Sequence, residues 1–153
     1  MIAEVHVRTW QAAYRHAFPK DVLDNLSVDE RATLWRRSLD EGYVIWVAET
    51  KGRIVGFAAV GASRTEEEAG ELYAIYVLPE AWGTIAASGL MAAAKEWFAQ
   101  EGYATAMLWV LADNPRARRF YEREGWRAEG KRIDTVRGTD VEEALYRLAL
   151  VGG

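Results

Sequence analysis

Residues 114–126 read Asn-Pro-Arg-Ala-Arg-Arg-Phe-Tyr-Glu-Arg-Glu-Gly-Trp, a pattern that predicts a short helix with a defined start and a defined end. Asn114 suits the N-cap, because its side-chain oxygen can accept a hydrogen bond from a free amide of the first turn. Pro115 suits the first helical position, and Gly125 suits the turn after the last one. One face of this predicted helix carries Ala117, Phe120, Tyr121 and Glu124.

The pattern Asn-x-x-Ala-x-x-Phe-Tyr-x-x-x-Gly-aromatic resembles the C-terminal motif of the GNAT N-acetyltransferases. In that family the tyrosine lies beside the sulfur of coenzyme A. The resemblance therefore implies that Asn114 and Tyr121 contact acetyl-CoA and that Tyr121 is a catalytic acid. A phenol, whose ordinary pKa is about 10, can protonate a departing thiolate that is a poor leaving group near neutral pH. The alternative is that Tyr121 only packs in the core, on the inner face of an amphipathic helix.

The composition fits one domain over residues 1–153, since 50% of the residues are hydrophobic. Lys and Arg number 19 against 23 Asp and Glu, which gives a formal net charge of −4. The basic residues are dispersed except between Arg116 and Arg132, and this balance argues against nucleic acid as a partner. The basic stretch itself is interpreted as a solvated helix face or as a contact for an anionic cofactor.

The sequence contains no cysteine, which excludes disulfides, thiolate metal sites and a cysteinyl acyl intermediate. We therefore expect any acyl transfer to run directly between donor and acceptor in a ternary complex, with no metal. Charged and polar residues lie near the N-terminus (Glu4, His6, Arg8 and Arg15), and no run of about 18 apolar residues occurs. We expect a cytoplasmic protein without a membrane partner.

Hydrophobic periodicity and turn residues predict the order of the elements. Helices are predicted over residues 2–18, 27–42 and 85–100 and after Asn114, and strands over 43–49, 54–60, 72–78, 105–111, 126–133 and 142–150. Lys51-Gly52 joins the first two strands, which indicates an antiparallel hairpin. Short links join the strand, helix and strand between residues 72 and 111, which indicates a βαβ unit with parallel strands.

This order predicts an α/β fold, a mixed sheet of about six strands flanked by about four helices with the βαβ unit at its centre. It resembles the GNAT fold over essentially the whole chain. The family normally begins with a strand before its first helix, whereas this chain begins inside that helix. Either the first strand is absent or the start is truncated.

The loop of residues 79–88 places amides at a helix N-terminus, where phosphate oxygens bind well. The GNAT signature at this point is Gln/Arg-x-x-Gly-x-Gly/Ala. The resemblance implies that the matching residues bind the cofactor, namely Trp82, Gly83, Thr84, Ile85, Ala86 and Ala87. Only Ala87 conforms. Ile85 replaces a glycine that lets the backbone approach the pyrophosphate, so its β-branched side chain could obstruct acetyl-CoA. The alternative is a helix start without a ligand.

Transfer to an amine needs a base, because an amine with a pKa of about 10.4 is almost wholly protonated at neutral pH. Glu71 lies eleven residues before Trp82, at a position where some GNAT enzymes keep a glutamate base. The alternative is a solvated carboxylate at the end of a strand. The resemblance also implies that backbone amides at Ile75 and Val77 contact the donor and hold the developing oxyanion. Both are equally well explained as buried strand residues.

His6, Trp10 and Tyr14 are spaced by four residues and share one face of the first predicted helix. Core packing explains them. Their rings and polar tips also suit an acceptor pocket, which the first two helices shape in the GNAT family. The acceptor stays open between a small amine, an antibiotic, an amino acid and a protein N-terminus.

The sequence is interpreted as an acetyl-CoA-dependent N-acetyltransferase that acetylates a primary amine, with Tyr121 as acid and Glu71 as base. One alternative is a non-catalytic module that keeps the fold while Ile85 blocks the pyrophosphate, and that acts through a dimer surface or another ligand. A second alternative is an acyltransferase for a different acyl group. Formation of a homodimer is left open.

Overall fold

The structure, a computed structural model, describes residues 2–13, 43–66, 68–82, 85–136 and 138–150. These ranges contain three α-helices, six strands and one short 3-10 helix at Pro79–Ala81. The helices are α1 (Ile2–Ala13), α2 (Ala86–Gln100) and α3 (Pro115–Arg123). The strands are β1 (Val44–Thr50), β2 (Arg53–Ala62), β3 (Gly70–Val77), β4 (Thr105–Leu111), β5 (Arg127–Val136) and β6 (Thr139–Ala149).

The six strands form one mixed sheet in the order β1-β2-β3-β4-β6-β5. β1 and β2 are antiparallel, β3 and β4 are parallel, and β6 is antiparallel to both β4 and β5. The predicted α/β class and the predicted βαβ unit are therefore confirmed. The helix predicted over residues 27–42 lies outside the described residues, as does the second part of the first predicted helix. None of the described helices is long and apolar enough to cross a membrane.

The chain divides into two compact units. The first unit comprises Met1–Gly61 and Tyr73–Ala94, and the second comprises Ala62–Leu72 and Lys95–Gly153. The core of the first unit contains a buried apolar cluster of Val5, Val55, Phe57 and Leu78. α1 and the β1-β2 hairpin contribute most of this cluster, which ties the first helix to the sheet.

The turn between β1 and β2 is tight because Lys51 and Gly52 both adopt positive φ angles, of 53° and 77°. Two consecutive residues of this kind give the two-residue hairpin turn whose twist matches that of the strands. The register runs from Thr50 opposite Arg53 to Val44 opposite Val60. The predicted hairpin is confirmed.

α2 connects β3 to β4, and the parallel register pairs Gly70 with Ala106 and Glu71 with Met107. Gly70 is buried against α2, since a Cβ at this position would lie 2.5 Å from Cδ1 of Phe98. The helix therefore approaches the start of β3 at a residue without a side chain.

β5 and β6 form a hairpin around Gly138, which has a φ angle of 79°. Their register begins with Val136 opposite Thr139 and is irregular between Ala128 and Gly130. The strands predicted over residues 126–133 and 142–150 are both present, and they extend towards each other to residues 136 and 139. Sequence periodicity missed these residues because the two strands of a hairpin keep their backbone ladder without needing a regular apolar face near the turn.

Candidate active site

α3 has the two caps that the sequence predicts. The side chain of Asn114 accepts a hydrogen bond at 3.2 Å from a backbone amide of the first turn, and Pro115 occupies the start of the helix. At the other end Gly125 has a φ angle of 97°, and the backbone amide of Trp126 donates to the carbonyl of Tyr121 at 3.0 Å. These two features are typical of a Schellman ending. The motif therefore fixes both ends of the helix that carries Tyr121.

Tyr121 is the buried residue of α3, with 8% of its surface exposed. Its ring centroid lies 6.4 Å from that of Trp126 and 6.1 Å from that of Tyr146 on β6. Both neighbours are almost completely buried. The tyrosine ring is thus held in the core of the second unit, a placement that fits both the acid role and the packing alternative.

A chain of hydrogen bonds joins α3 to β6, and the sequence analysis missed it. The hydroxyl of Tyr146 accepts from Nε of Arg118 at 2.9 Å and donates to Oε2 of Glu122 at 2.7 Å. Nη1 of Arg118 also donates to the carbonyl of Ala112 at 3.0 Å. The only sequence signal for this network is the four-residue spacing of Arg118 and Glu122, which places them on one helix face.

The electrostatics of this network keep its two central groups protonated. Burial raises the pKa of the Tyr146 phenol above its usual range. The hydrogen bond to Tyr146 raises the pKa of the Arg118 guanidinium. At neutral pH the phenol is therefore neutral and the guanidinium is charged.

Glu71 is buried at the start of β3, with only 2% of its side chain exposed. Its Oε1 accepts from the backbone amide of Arg64 at 3.0 Å, and its Oε2 accepts from Nη2 of Arg64 at 2.7 Å. The alternative of a solvated carboxylate is therefore wrong. It failed because the partner lies in the loop before β3, where sequence periodicity carries no information on side-chain contacts.

The same loop is held by Arg147 of β6. Its Nη1 and Nη2 donate to the two carboxylate oxygens of Glu66 at 2.9 and 2.7 Å. Its Nε donates to Glu129 of β5. The hydrogen bond from Arg147 lowers the pKa of Glu66 below its usual range. Arg64 and Glu66, on one loop, are thus each engaged by an ion pair.

The loop before α2 is described only in part, because Gly83 and Thr84 lie outside the described residues. Trp82 is tied to the end of β3, since its Nε1 donates to the carbonyl of Val77 at 2.9 Å. Ile85 is the residue before α2, since its carbonyl accepts the first helical hydrogen bond, from Gly89 at 2.9 Å. Ile85 is 88% exposed, more than any other large apolar residue in the part of the chain that the structure describes.

The other predicted contacts with the donor lie on β3 and in the first turn of α2. Ile75 is half-buried and Val77 is buried, and both lie on β3 after Gly70 and Glu71, which pair with β4. Ala86 and Ala87, which begin α2, are half-buried. Nothing in the arrangement distinguishes a role as oxyanion donors from ordinary positions in a strand, so this role stays a prediction.

His6 and Trp10 form part of an aromatic cluster in the first unit. The ring centroid of His6 lies 4.8 Å from that of Tyr76 and 5.8 Å from that of Trp10. Nε1 of Trp10 donates to the hydroxyl of Tyr76 at 2.9 Å. His6 is buried, with 7% exposed. These contacts favour core packing for both residues, while Tyr14 lies outside the described residues.

The basic stretch from Arg116 to Arg132 has more than one role. Arg118 belongs to the network with Tyr146, and the guanidinium of Arg132 stacks 3.9 Å from the ring centroid of Trp109. The predicted solvated helix face is confirmed for the exposed residues Arg116, Arg119 and Arg123 of α3, whereas Arg127 and Lys131 are exposed residues of β5. Contact with an anionic cofactor stays a prediction.

The described residues bring two pairs of predicted site residues into contact, Val77 with Trp82 and His6 with Trp10. In the described part of the chain, no group of three or more His, Cys, Asp or Glu side chains could hold a metal ion.

Comparison with known proteins gives consistent matches. A family model described as "Acetyltransferase (GNAT) family" matches residues 4–126. The N-acetyltransferase YuaI of Bacillus subtilis is 38% identical over 117 residues, which cover 74% of this chain and 66% of YuaI. A mycothiol acetyltransferase of Streptomyces griseus is 37% identical over 117 residues, which cover 76% of this chain and 36% of that protein. The matched region is thus less than two thirds of the length of either relative.

Solved structures share the fold at low sequence identity. A GCN5-related N-acetyltransferase from Rhodopseudomonas palustris has a TM-score of 0.77 and 17% identity, and the match covers 97% of this chain and 87% of that one. The yncA protein of Salmonella typhimurium, solved with acetyl-CoA, has a TM-score of 0.74 and 18% identity, with 99% and 88% covered. At these identities the likeness establishes the fold alone.

Proposed function

This chain belongs to the Acetyltransferase (GNAT) family, and we propose from that membership that it transfers the acetyl group of acetyl-CoA directly to a primary amine. The observation that carries the proposal is the motif of residues 114–126, which lies at the end of the matched region and forms a capped helix with Tyr121 buried on it. A relative named as an N-acetyltransferase and a fold neighbour solved with acetyl-CoA support this choice of donor. The absence of cysteine from the sequence supports direct transfer in a ternary complex.

The start of α2 supports binding of the donor's pyrophosphate. First-turn amides of a helix lack intrahelical acceptors and point along the positive end of the helix dipole, so they suit phosphate oxygens. Ala87 adds little bulk at this turn. The exposed side chain of Ile85 packs against little protein, so it can adopt another rotamer when a pyrophosphate approaches. The residues present therefore fit a diphosphate.

Tyr121 is proposed as the acid. When the amine attacks the thioester, negative charge develops first on the carbonyl oxygen and then on the departing sulfur. A backbone amide at Ile75 or Val77 would stabilise the first charge, and the phenol of Tyr121 would protonate the sulfur. The ring contacts with Trp126 and Tyr146 support this role, because they hold the phenol in a fixed position before substrate arrives.

Glu71 is the proposed base. Each of its oxygens accepts one hydrogen bond from Arg64, and a carboxylate oxygen can accept two. One acceptor site on each oxygen therefore remains for a water that relays the proton of the ammonium group, because only 2% of the side chain is exposed to a direct approach. Arg64 positions the carboxylate by engaging both oxygens. In the competing route, water removes the proton without a protein side chain, so no substitution would change it.

A non-catalytic module is the second candidate, and the unusual phosphate loop favours it. Only Ala87 of this loop matches the family signature, and Ile85 stands where the family has glycine. Such a module would keep the fold and lose affinity for acetyl-CoA. The two candidates therefore differ in one measurable property, the binding of the donor.

Thermal unfolding with and without acetyl-CoA separates the two candidates. A ligand at about 100 times its Kd stabilises the native state by about 2.7 kcal/mol, which corresponds to a rise in Tm of about 5 to 11 °C for a chain of this length. ADP at the same concentration is the control for binding through the adenosine diphosphate portion alone. An unchanged Tm with acetyl-CoA would overturn the proposed function and support the module.

Turnover is then measured as release of CoA in the presence of an acceptor panel. Because the chain has no cysteine, a thiol-reactive dye reports CoA without background from the protein. The panel contains small amines, amino acids, aminoglycoside antibiotics, peptides with free N-termini and the acceptor of mycothiol acetyltransferases, since one relative carries that name. Propionyl-CoA and succinyl-CoA test the choice of acyl group. Binding without turnover on any acceptor would contradict the proposal.

A further inference from the structure

We propose that the hydrogen-bond network of Arg118, Tyr146 and Glu122 sets the rotation of α3 about its axis and thereby positions Tyr121. This inference rests on the proposed function, in which Tyr121 is the acid. The three residues are positioning residues, because none of them is proposed to touch a substrate.

The network attaches the side of the helix that carries Tyr121 to β6. The caps at Asn114 and Gly125 fix where α3 begins and ends along its axis. Caps at the two ends restrain rotation less than a side-on contact does, because they lie close to the axis. Tyr146 makes such a side-on contact, since its hydroxyl joins two residues one turn apart on α3.

The other end of the network is rigid. Tyr146 lies on β6, between the neighbouring strands of the sheet, and has no exposed surface. Nη1 of Arg118 donates to the carbonyl of Ala112, and the amide of Ala112 donates to the carbonyl of Glu142 at 2.9 Å. α3 is thus fastened both to β6 and to the residue that follows β4.

Small rotations of α3 matter because Tyr121 projects far from the axis. A phenolic hydroxyl lies roughly 8 to 9 Å from the axis of its helix, so a rotation of about 10° displaces it by roughly 1.5 Å. A misplacement of about 1 Å at a reacting group can lower a rate by about 100-fold. Loss of the hydrogen bonds between α3 and Tyr146 is therefore expected to lower turnover even when the helix stays folded.

Tyr146→Phe tests the network by removing one hydroxyl. Arg118 and Glu122 can still pair with each other along α3, and Arg118 keeps its hydrogen bond to Ala112, but neither is then hydrogen-bonded to β6. We expect kcat to fall about tenfold or more while KM for acetyl-CoA changes less than about threefold, because positioning of the acid affects the chemical step. Tyr103→Phe is the matched control, since it also removes a hydroxyl from the second unit but its ring packs against Trp97 and Phe98 of α2.

A double-mutant cycle distinguishes positioning of Tyr121 from a general structural effect. In the Tyr121→Phe background the hydroxyl that Tyr146 positions is absent, so Tyr146→Phe is expected to cause little further loss of kcat. An equal loss in both backgrounds would overturn the inference. A Tyr146→Phe variant with the same kcat as Tyr103→Phe would also overturn the inference.

Glu122→Gln, which keeps an acceptor for the Tyr146 hydroxyl, is expected to retain more activity than Glu122→Ala.

Hydrogen exchange provides a readout that does not depend on turnover. Amides of residues 118–123 are expected to exchange at least about threefold faster in Tyr146→Phe and at the wild-type rate in Tyr103→Phe, because the network restrains local opening of α3. Failure of the wild-type protein to acetylate any acceptor would contradict the proposed function. Equal exchange rates in Tyr146→Phe and Tyr103→Phe would separately overturn the inference that the network restrains α3. Faster exchange confined to Tyr146→Phe would support the anchoring role.

Discussion

Replacement of Gly70 by alanine is expected to destabilise the protein by about 1 to 3 kcal/mol. A Cβ at residue 70 would lie 2.5 Å from Cδ1 and 2.7 Å from Cε1 of Phe98, and 3.2 Å from Cδ2 of Tyr103. Carbon atoms in contact prefer a separation of about 3.5 to 4.0 Å, so the phenyl ring would have to move by about 1 Å. Phe98 is fully buried and its ring contacts Trp97 and Tyr103, so this movement would disturb two further rings.

Gly89 provides a matched control on α2. A Cβ there would meet no heavy atom within 4 Å. Since glycine inside a helix costs about 0.5 to 1 kcal/mol relative to alanine, Gly89→Ala is expected to stabilise the protein by up to that amount. The same chemical change is therefore expected to have opposite signs at the two positions.

The assay is thermal unfolding followed by circular dichroism, with urea unfolding as a second measure. At this chain length each kcal/mol shifts Tm by about 2 to 4 °C, so Gly70→Ala should unfold about 2 to 12 °C below the wild type. An unchanged Tm for Gly70→Ala would refute the steric argument, because it would mean that Phe98 moves without cost. A lower Tm for Gly89→Ala would contradict the helical conformation of that turn.

Three further changes test individual residues. Glu71→Gln is expected to lower turnover chiefly at low pH, where the amine most needs deprotonation, and a pH–rate profile that superimposes on that of the wild type would remove Glu71 from the mechanism. Ile85→Gly is expected to tighten acetyl-CoA binding in calorimetric titration, because the isoleucine side chain no longer has to move aside for the pyrophosphate. Stability is expected to be kept, because Ile85 is an N-cap residue and glycine is preferred to isoleucine there. Equal or weaker binding would mean that the isoleucine is accommodated. Because Arg147 lowers the pKa of Glu66, this pair contributes stability above the ordinary carboxyl pKa of about 4.5 and loses it as pH falls through the lowered value. The Tm difference between wild type and Glu66→Gln should therefore vanish on acidification, and a difference that persists at low pH would contradict the ion pair.

Local signals in the sequence were sufficient for most of the fold. The strand over residues 105–111 has the predicted bounds, and Asn114 and Gly125 cap α3 as expected. These features depend on hydrophobic alternation and on backbone preferences of single residues, which are local properties. One local inference was off by a residue, since Ile85 precedes α2 rather than belonging to it. The position matters because glycine lowers stability inside a helix but is preferred to isoleucine at the N-cap.

Contacts between residues that are distant in the sequence could not be predicted from such local signals. The burial of Glu71 depends on Arg64 in the preceding loop, and the attachment of α3 depends on Tyr146, which lies 28 residues after Arg118. Neither partner has a fixed spacing that could mark it in a single sequence. Side-chain networks of this kind follow from the packing of the sheet, and they became visible only with the strands in place.

The role of Tyr121 as the catalytic acid is tested most directly by the turnover of Tyr121→Phe with the best acceptor of the panel. The change removes only the hydroxyl, so the ring contacts with Trp126 and Tyr146 are kept. We expect a kcat that is lower by at least about tenfold, with Tm and acetyl-CoA affinity close to those of the wild type. Turnover equal to that of the wild type would contradict the acid role and make Tyr121 a packing residue.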